Sequence, residues 1–245
     1  MLKLYKKSEV TFSLLCIGIY CITMSVADNI SALIGIKSVI SLPVIAILSL
    51  ILTVFLFKNG LLNKYGLCKP KISCPRMLFY IPLAVLLSVN LWYGVTLNFS
   101  PFETVLYILT MLFVGFFEEL VFRGLLFNAM RKNNLPSAVI VSSVTFGIGH
   151  IINLFNGSGM DIIENAVQII SAVAVGFMFV IIYIKSESLI MCIVTHGLFN
   201  ALSAFSQENE ISTTQRIISG VFIVVLCLTY TAVILRINKK QISNK

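Results

Sequence analysis

"ETVLYILTMLFVGFFEELVFRGLLFNA", residues 103–129, decides the fold class. The run is apolar almost throughout. As a helix rising about 1.5 Å per residue it is longer than the roughly 30 Å hydrocarbon core of a bilayer requires. It therefore tilts or extends past the cytoplasmic interface. Its interior holds Glu118, Glu119 and Arg123. A charged group at the centre of a membrane helix costs about 2.5–3.5 kcal/mol even on lenient scales, so these three must pair, face a wet cavity, or both.

The rest of the chain repeats the apolar pattern. It has 245 residues, of which 58% are hydrophobic and only 11% charged. A soluble domain of this size exposes far more charge. Eight apolar runs are predicted as spans, at 10–27, 38–57, 77–97, 103–129, 137–155, 163–184, 187–205 and 213–235. They are continuously apolar rather than alternating, which favours helices over a membrane barrel. The expected fold is all-α: a polytopic membrane protein of about eight transmembrane helices, forming a single domain over residues 1–245.

The net charge of +8 raises the question of nucleic acid, and its distribution answers it. With the N-terminus in the cytoplasm, fifteen of the 18 Lys and Arg residues fall on the cytoplasmic side. Lys37 and Arg216 fall outside, and Arg123 lies within a span. Asp28, Glu103, Asp161, Glu164, Glu208 and Glu210 lie on the outer side. This bias is the positive-inside rule and places both termini in the cytoplasm. The basic character is thus topological; the lipid bilayer is the expected partner and nucleic acid is not. The loop 58–76 is the most basic and suits anionic headgroups. The first span is expected to remain as an uncleaved helix. Cys16, Cys21, Cys192 and Cys227 lie in spans; Cys68 and Cys74 lie in the basic loop without zinc-knuckle spacing, so all six read as structural or incidental.

Spans four to seven hold nearly all the chemistry. Glu119 and Arg123 are four apart on one helical face and can form an ion pair. Glu118 is rotated by about 100° from Glu119, so Arg123 can neutralise one carboxylate and leave the other pointing elsewhere. The plainer reading is an interfacial salt bridge near the helix end, but it gives the second acid no use. Both histidines of the chain are intramembrane: His150 closes "TFGIGH" (145–150) and His196 opens "HGLFN" (196–200), with Asn200 on the same face. A lone intramembrane His is ordinarily an interhelical hydrogen-bonder. Depth argues for more. Counted from the cytoplasmic helix ends, Glu118 lies roughly 18 Å deep, His150 and Asn200 roughly 20 Å and His196 roughly 14 Å. Three helices thus place rare polar groups in one layer. A carboxylate near imidazoles can activate water, alone or within a metal site, and an imidazole or amide can donate to an oxyanion. That set suits amide hydrolysis. No H-E-x-x-H helix is present, Asp28 and Asp161 are assigned to outer loops, and Ser158 in "NGSG" (156–159) reads as a turn residue.

"EELVFR" (118–123), "FGIGH" (146–150) and "HGLFN" (196–200) fit E-E-x-x-x-R, F-x-x-x-H and H-x-x-x-N motifs, in order on successive spans. In this the chain resembles the CPBP family of CAAX-protease and bacteriocin-processing proteins, also called Abi. The resemblance implies an eight-helix intramembrane endopeptidase with its core at about 103–205. It implies that Glu118 and His150 activate a water, that His196 and Asn200 hold the oxyanion, and that Glu119 and Arg123 shape the site. The family is usually labelled metalloprotease. Glu118, His150 and His196 could ligate a divalent metal such as zinc, and a metal-free mechanism uses the same residues equally well.

The leading expectation is therefore cleavage of a peptide or membrane-protein substrate near the cytoplasmic leaflet of a bacterial plasma membrane. By analogy with the family, it would process a secreted peptide or confer bacteriocin self-immunity. A non-catalytic partner of an envelope or sensor-kinase complex is the alternative, and an ion or proton transporter is the third reading. The transporter needs polar groups along a path to both surfaces, which spans one to three and eight do not offer.

Overall fold

The computed structural model describes residues 1–71, 80–155, 160–207 and 211–242. Residues 156–159, predicted as a turn with Ser158, and residues 72–79, with Cys74, lie outside them. The described chain is helical: α1 (Leu2–Lys7), α2 (Glu9–Ile34), α3 (Ser41–Lys58), α4 (Tyr80–Ser88), α5 (Pro101–Glu118), α6 (Asn128–Arg131), α7 (Leu135–Gly149), α8 (Ile162–Ser186), α9 (Ile190–Leu202) and α10 (Thr213–Ile242). A π-helical segment, Glu119–Phe127, joins α5 to α6 without a break. Among the described residues the only strand-like pairing is one bridge between Val95 and Ser206.

Six stretches are long and apolar enough to cross a membrane: Glu9–Ile34, Ser41–Lys58, Pro101–Arg131, Leu135–Leu154, Ile162–Ser186 and Thr213–Arg236. Ile81–Leu91 and Ile190–Phe205 are shorter apolar helices in the places of the third and seventh predicted spans. The protein is thus an all-α, polytopic membrane protein. One boundary needs correction. Asp28 is not in an outer loop; α2 runs on to Ile34, and Asp28 accepts a hydrogen bond from the Ser41 hydroxyl at the start of α3.

Local chemistry sets the helix starts. Ser100 caps α5 in a reciprocal capping box with Glu103, and Pro101 stands at the first helical position, where no N–H is missed. Asn134 caps α7 and Asp161 caps α8 through their side-chain oxygens.

Glycines then let helices approach where polar groups must meet. A Cβ on Gly115 of α5 would come within 2.5 Å of the Gly197 backbone N of α9, and one on Gly147 of α7 would meet Val173 Cγ2 of α8 at 2.3 Å. In a membrane, where lipid is as apolar as leucine, such small-residue crossings supply the packing that holds helices together. The Gly115–Gly197 crossing sits three residues before Glu118 and one after His196, so it brings these two helices together at their polar residues.

Candidate active site

Four ionisable side chains form one buried cluster. Arg123 Nη1 donates to Glu119 Oε1 at 3.0 Å, four residues along the chain, and both side chains are fully buried. His196 Nδ1 lies 2.8 Å from the same Glu119 oxygen. His196 Nε2 then faces Glu118 Oε2 at 3.4 Å. The other Glu118 oxygen accepts the Tyr20 hydroxyl of α2 at 2.6 Å. Arg123 therefore engages Glu119, while Glu118 turns to different partners.

The backbone here is π-helical rather than α-helical, a departure the sequence did not announce. Such segments carry i→i+5 hydrogen bonds and occur often at functional sites. Side chains bond to carbonyls of this stretch: Ser142 Oγ of α7 donates to the Phe122 oxygen at 2.9 Å, and Asn128 Nδ2, at the start of α6, donates to the Gly124 oxygen at 2.6 Å. The rest of the guanidinium is covered by rings. Arg123 Cζ stands 4.0 Å from the Phe146 ring centre and 5.8 Å from that of Phe179, a cation–π setting that suits a desolvated guanidinium.

Phe146 also packs edge-on against both histidines, at 5.3 Å from the His150 ring and 5.5 Å from the His196 ring. His150 ends α7, and its carbonyl accepts from Asn165 Nδ2 at 2.8 Å. A cavity of about 250 Å³ is lined by His150, His196 and Asn200 together. Its walls are mostly apolar, including Leu86, Val89, Val167 and Ile223. Asn200 and His196 share a helical face, as their spacing predicts, and both look into this space.

The six predicted site residues thus fall into two groups meeting at His196: the cluster Glu118, Glu119, Arg123 and His196, and the cavity wall His150, His196 and Asn200. His150 makes no ion pair with either glutamate, unlike His196. Among the described residues no three His, Cys, Asp or Glu side chains converge as a metal would require. Glu118 and His196 supply two facing donors and His150 does not join them, so the trio does not fit a resident metal held by three protein ligands.

Residues 100–202 match the family model described as type II CAAX prenyl endopeptidase, Rce1-like. No curated protein matches the chain. The matched stretch runs from the Ser100 cap of α5 to the end of α9, and so contains all six predicted residues. The buried polar cluster, Tyr20 apart, lies within the matched stretch.

Tyr20 lies outside the matched stretch, and sequence reasoning passed over it. Its only signal is a phenolic hydroxyl in the first span, where Thr11, Ser13, Thr23 and Ser25 also carry hydroxyls. Nothing in the sequence ties it to a glutamate 98 positions away. Its ring stacks on Phe117 at 5.1 Å, which aims the hydroxyl at the neighbouring carboxylate.

Proposed function

We propose that the protein is an intramembrane endopeptidase in which Glu118 is the general base. The observation that carries this reading is the division of labour between two adjacent glutamates. Glu119 is bound by Arg123 and His196, while Glu118 Oε2 is buried and has no hydrogen-bond partner among the described residues. A buried carboxylate kept from its neighbouring guanidinium is suited to take a proton and return it.

In this reading Glu118 takes a proton from a water as the water oxygen attacks the scissile carbonyl carbon. The carbonyl π bond breaks and its oxygen becomes an oxyanion. His196 Nε2–H and the Asn200 amide donate to that oxyanion, since both face the cavity. His150, on the same wall, orients the water. Collapse of the intermediate breaks the C–N bond, and Glu118 passes its proton to the leaving amine. The Glu119 carboxylate holds Nδ1 of His196 and so fixes which ring nitrogen is offered to the substrate.

The substrate is a peptide or membrane-protein segment with apolar side chains, matched to the cavity walls. Processing of an exported peptide is the biological role most in keeping with that chemistry. The test compares peptides released from membranes carrying the wild-type chain or Glu118→Gln, which keeps shape and removes the base. A defined peptide missing from the Gln sample supports hydrolysis. Matching profiles, with the Gln chain still restoring the phenotype of a null strain, point instead to a non-catalytic partner.

A further inference from the structure

Contacts sort the helix ends into two faces. On one face Lys64 and Lys132 both reach Glu9 at 2.8 Å, and the Leu189 N–H donates to the Gly66 oxygen at 2.8 Å. On the other, the Lys37 N–H donates to Glu103 at 2.9 Å, Asn98 Nδ2 donates to the Ser206 oxygen at 2.7 Å, and Arg216 pairs with Glu164 at 2.7 Å. Among the described residues, thirteen Lys and Arg residues lie in the segments gathered on the first face, and the second has Lys37 and Arg216. By the positive-inside rule the first is cytoplasmic and the second exoplasmic.

The cavity belongs to the second face. Its lining comes from the ends of helices that point there: Asn90 and Tyr93 beyond α4, Glu164 and Gln168 of α8, and Ser219 of α10. Its lining also includes Phe146, Phe179 and His196. Towards the basic face the packing closes. Leu125, Leu126, Phe127, Ile182 and Tyr183 are all buried, and Arg123 beneath Phe146 is fully so. By contrast the Glu164 and Arg216 side chains at the opposite end keep 22% and 27% of their exposure, so the cavity meets the surroundings at that rim.

We infer that the substrate enters from the exoplasmic side, so that the cleaved peptide is one already displayed at the outer half of the bilayer. This departs from cleavage near the cytoplasmic leaflet, which the sequence alone suggested. The substrate it implies places an apolar segment between α4, α8 and α10 and leaves polar groups at the rim formed by Tyr93, Gln168 and the Glu164–Arg216 pair. As a statement about substrate, the inference rests on the endopeptidase reading; the geometry of access does not.

The experiment uses the full chain in right-side-out membrane vesicles and a charged, membrane-impermeant maleimide, with labelled peptides identified by mass spectrometry. Ser219→Cys places a thiol on the cavity wall, and the native Cys68, in the basic-face segment that packs on Glu187, is the internal control. The expected result is labelling of the introduced thiol in sealed vesicles, with Cys68 reacting only after permeabilisation. Gln168→Cys, nearer the rim, gives a second reading if Ser219→Cys does not accumulate. Introduced thiols that react only together with Cys68 after permeabilisation, or that stay unreactive at both positions, overturn the inference. The same labelling in the Glu118→Gln background keeps the two questions apart. Exoplasmic labelling with unchanged peptide release retains the access route and removes the protease.

Discussion

Glu119 Oε1 is shared by two buried cations or donors: Arg123 Nη1 at 3.0 Å and His196 Nδ1 at 2.8 Å. One oxygen thus ties the π-helical segment to α9. Glu119→Gln keeps the shape but loses the charge that satisfies both partners. It is expected to lower kcat on the order of 10²-fold or more, as loss of an imidazole-orienting carboxylate does elsewhere. Peptide-release rates normalised to protein level check this.

Removing the guanidinium acts on folding rather than chemistry. Arg123→Ala leaves Glu119 as a buried charge without its cation, a change worth about 3–5 kcal/mol in comparable buried pairs. Arg123→Lys retains charge but loses the planar group that lies 4.0 Å over Phe146. Detergent-solubilised thermal unfolding is expected to rank wild type above Lys and Lys above Ala, with low accumulation of the Ala form.

Tyr20→Phe deletes one hydroxyl and keeps the stack on Phe117. A hydrogen bond to a charged group is worth about 1.5–3 kcal/mol, and here it orients the Glu118 carboxylate. Kcat is expected to fall about tenfold with KM unchanged and thermal stability lowered only slightly. A fall confined to KM would assign Tyr20 to substrate binding instead.

Gly115→Ala tests the helix crossing. The new methyl would stand 2.5 Å from the Gly197 N, which is backbone and cannot swing aside. Stability and activity are both expected to fall, because α9 carries His196 one residue from the contact. Gly18→Ala is the control. Nothing lies within 4 Å of its added Cβ, so replacing a helical glycine is expected to be neutral or to stabilise by up to about 1 kcal/mol.

Chelation probes the donor set. Since Glu118, His150 and His196 do not converge as ligands, peptide release is expected to persist after exhaustive chelator treatment. Activity lost to the chelator and restored by added zinc would contradict that geometry.

The sequence exposed the site better than it exposed the scaffold. Glu118, Glu119, Arg123, His150, His196 and Asn200 stand out because ionisable and amide groups are rare and costly within membrane helices, so each demands a reason. The Glu119–Arg123 pair follows from i,i+4 spacing, and the structure contains it. The π-helical turn does not follow, because it arises from tertiary bonds such as that from Ser142 to the Phe122 oxygen. Tyr20 was hidden for the same reason: a hydroxyl gains its role only when α2 meets α5. The end of α2 was misplaced because Asp28 reads as a loop residue until its partner Ser41 is known.

The most direct test measures cleavage by the purified chain in vesicles, wild type against Glu118→Gln, on the peptide that its own membranes release. The expected result is a loss on the order of 10³-fold or more in kcat with peptide binding retained, as removal of an essential base produces. A Gln enzyme that cleaves at the wild-type rate would contradict the assignment of Glu118 as the base.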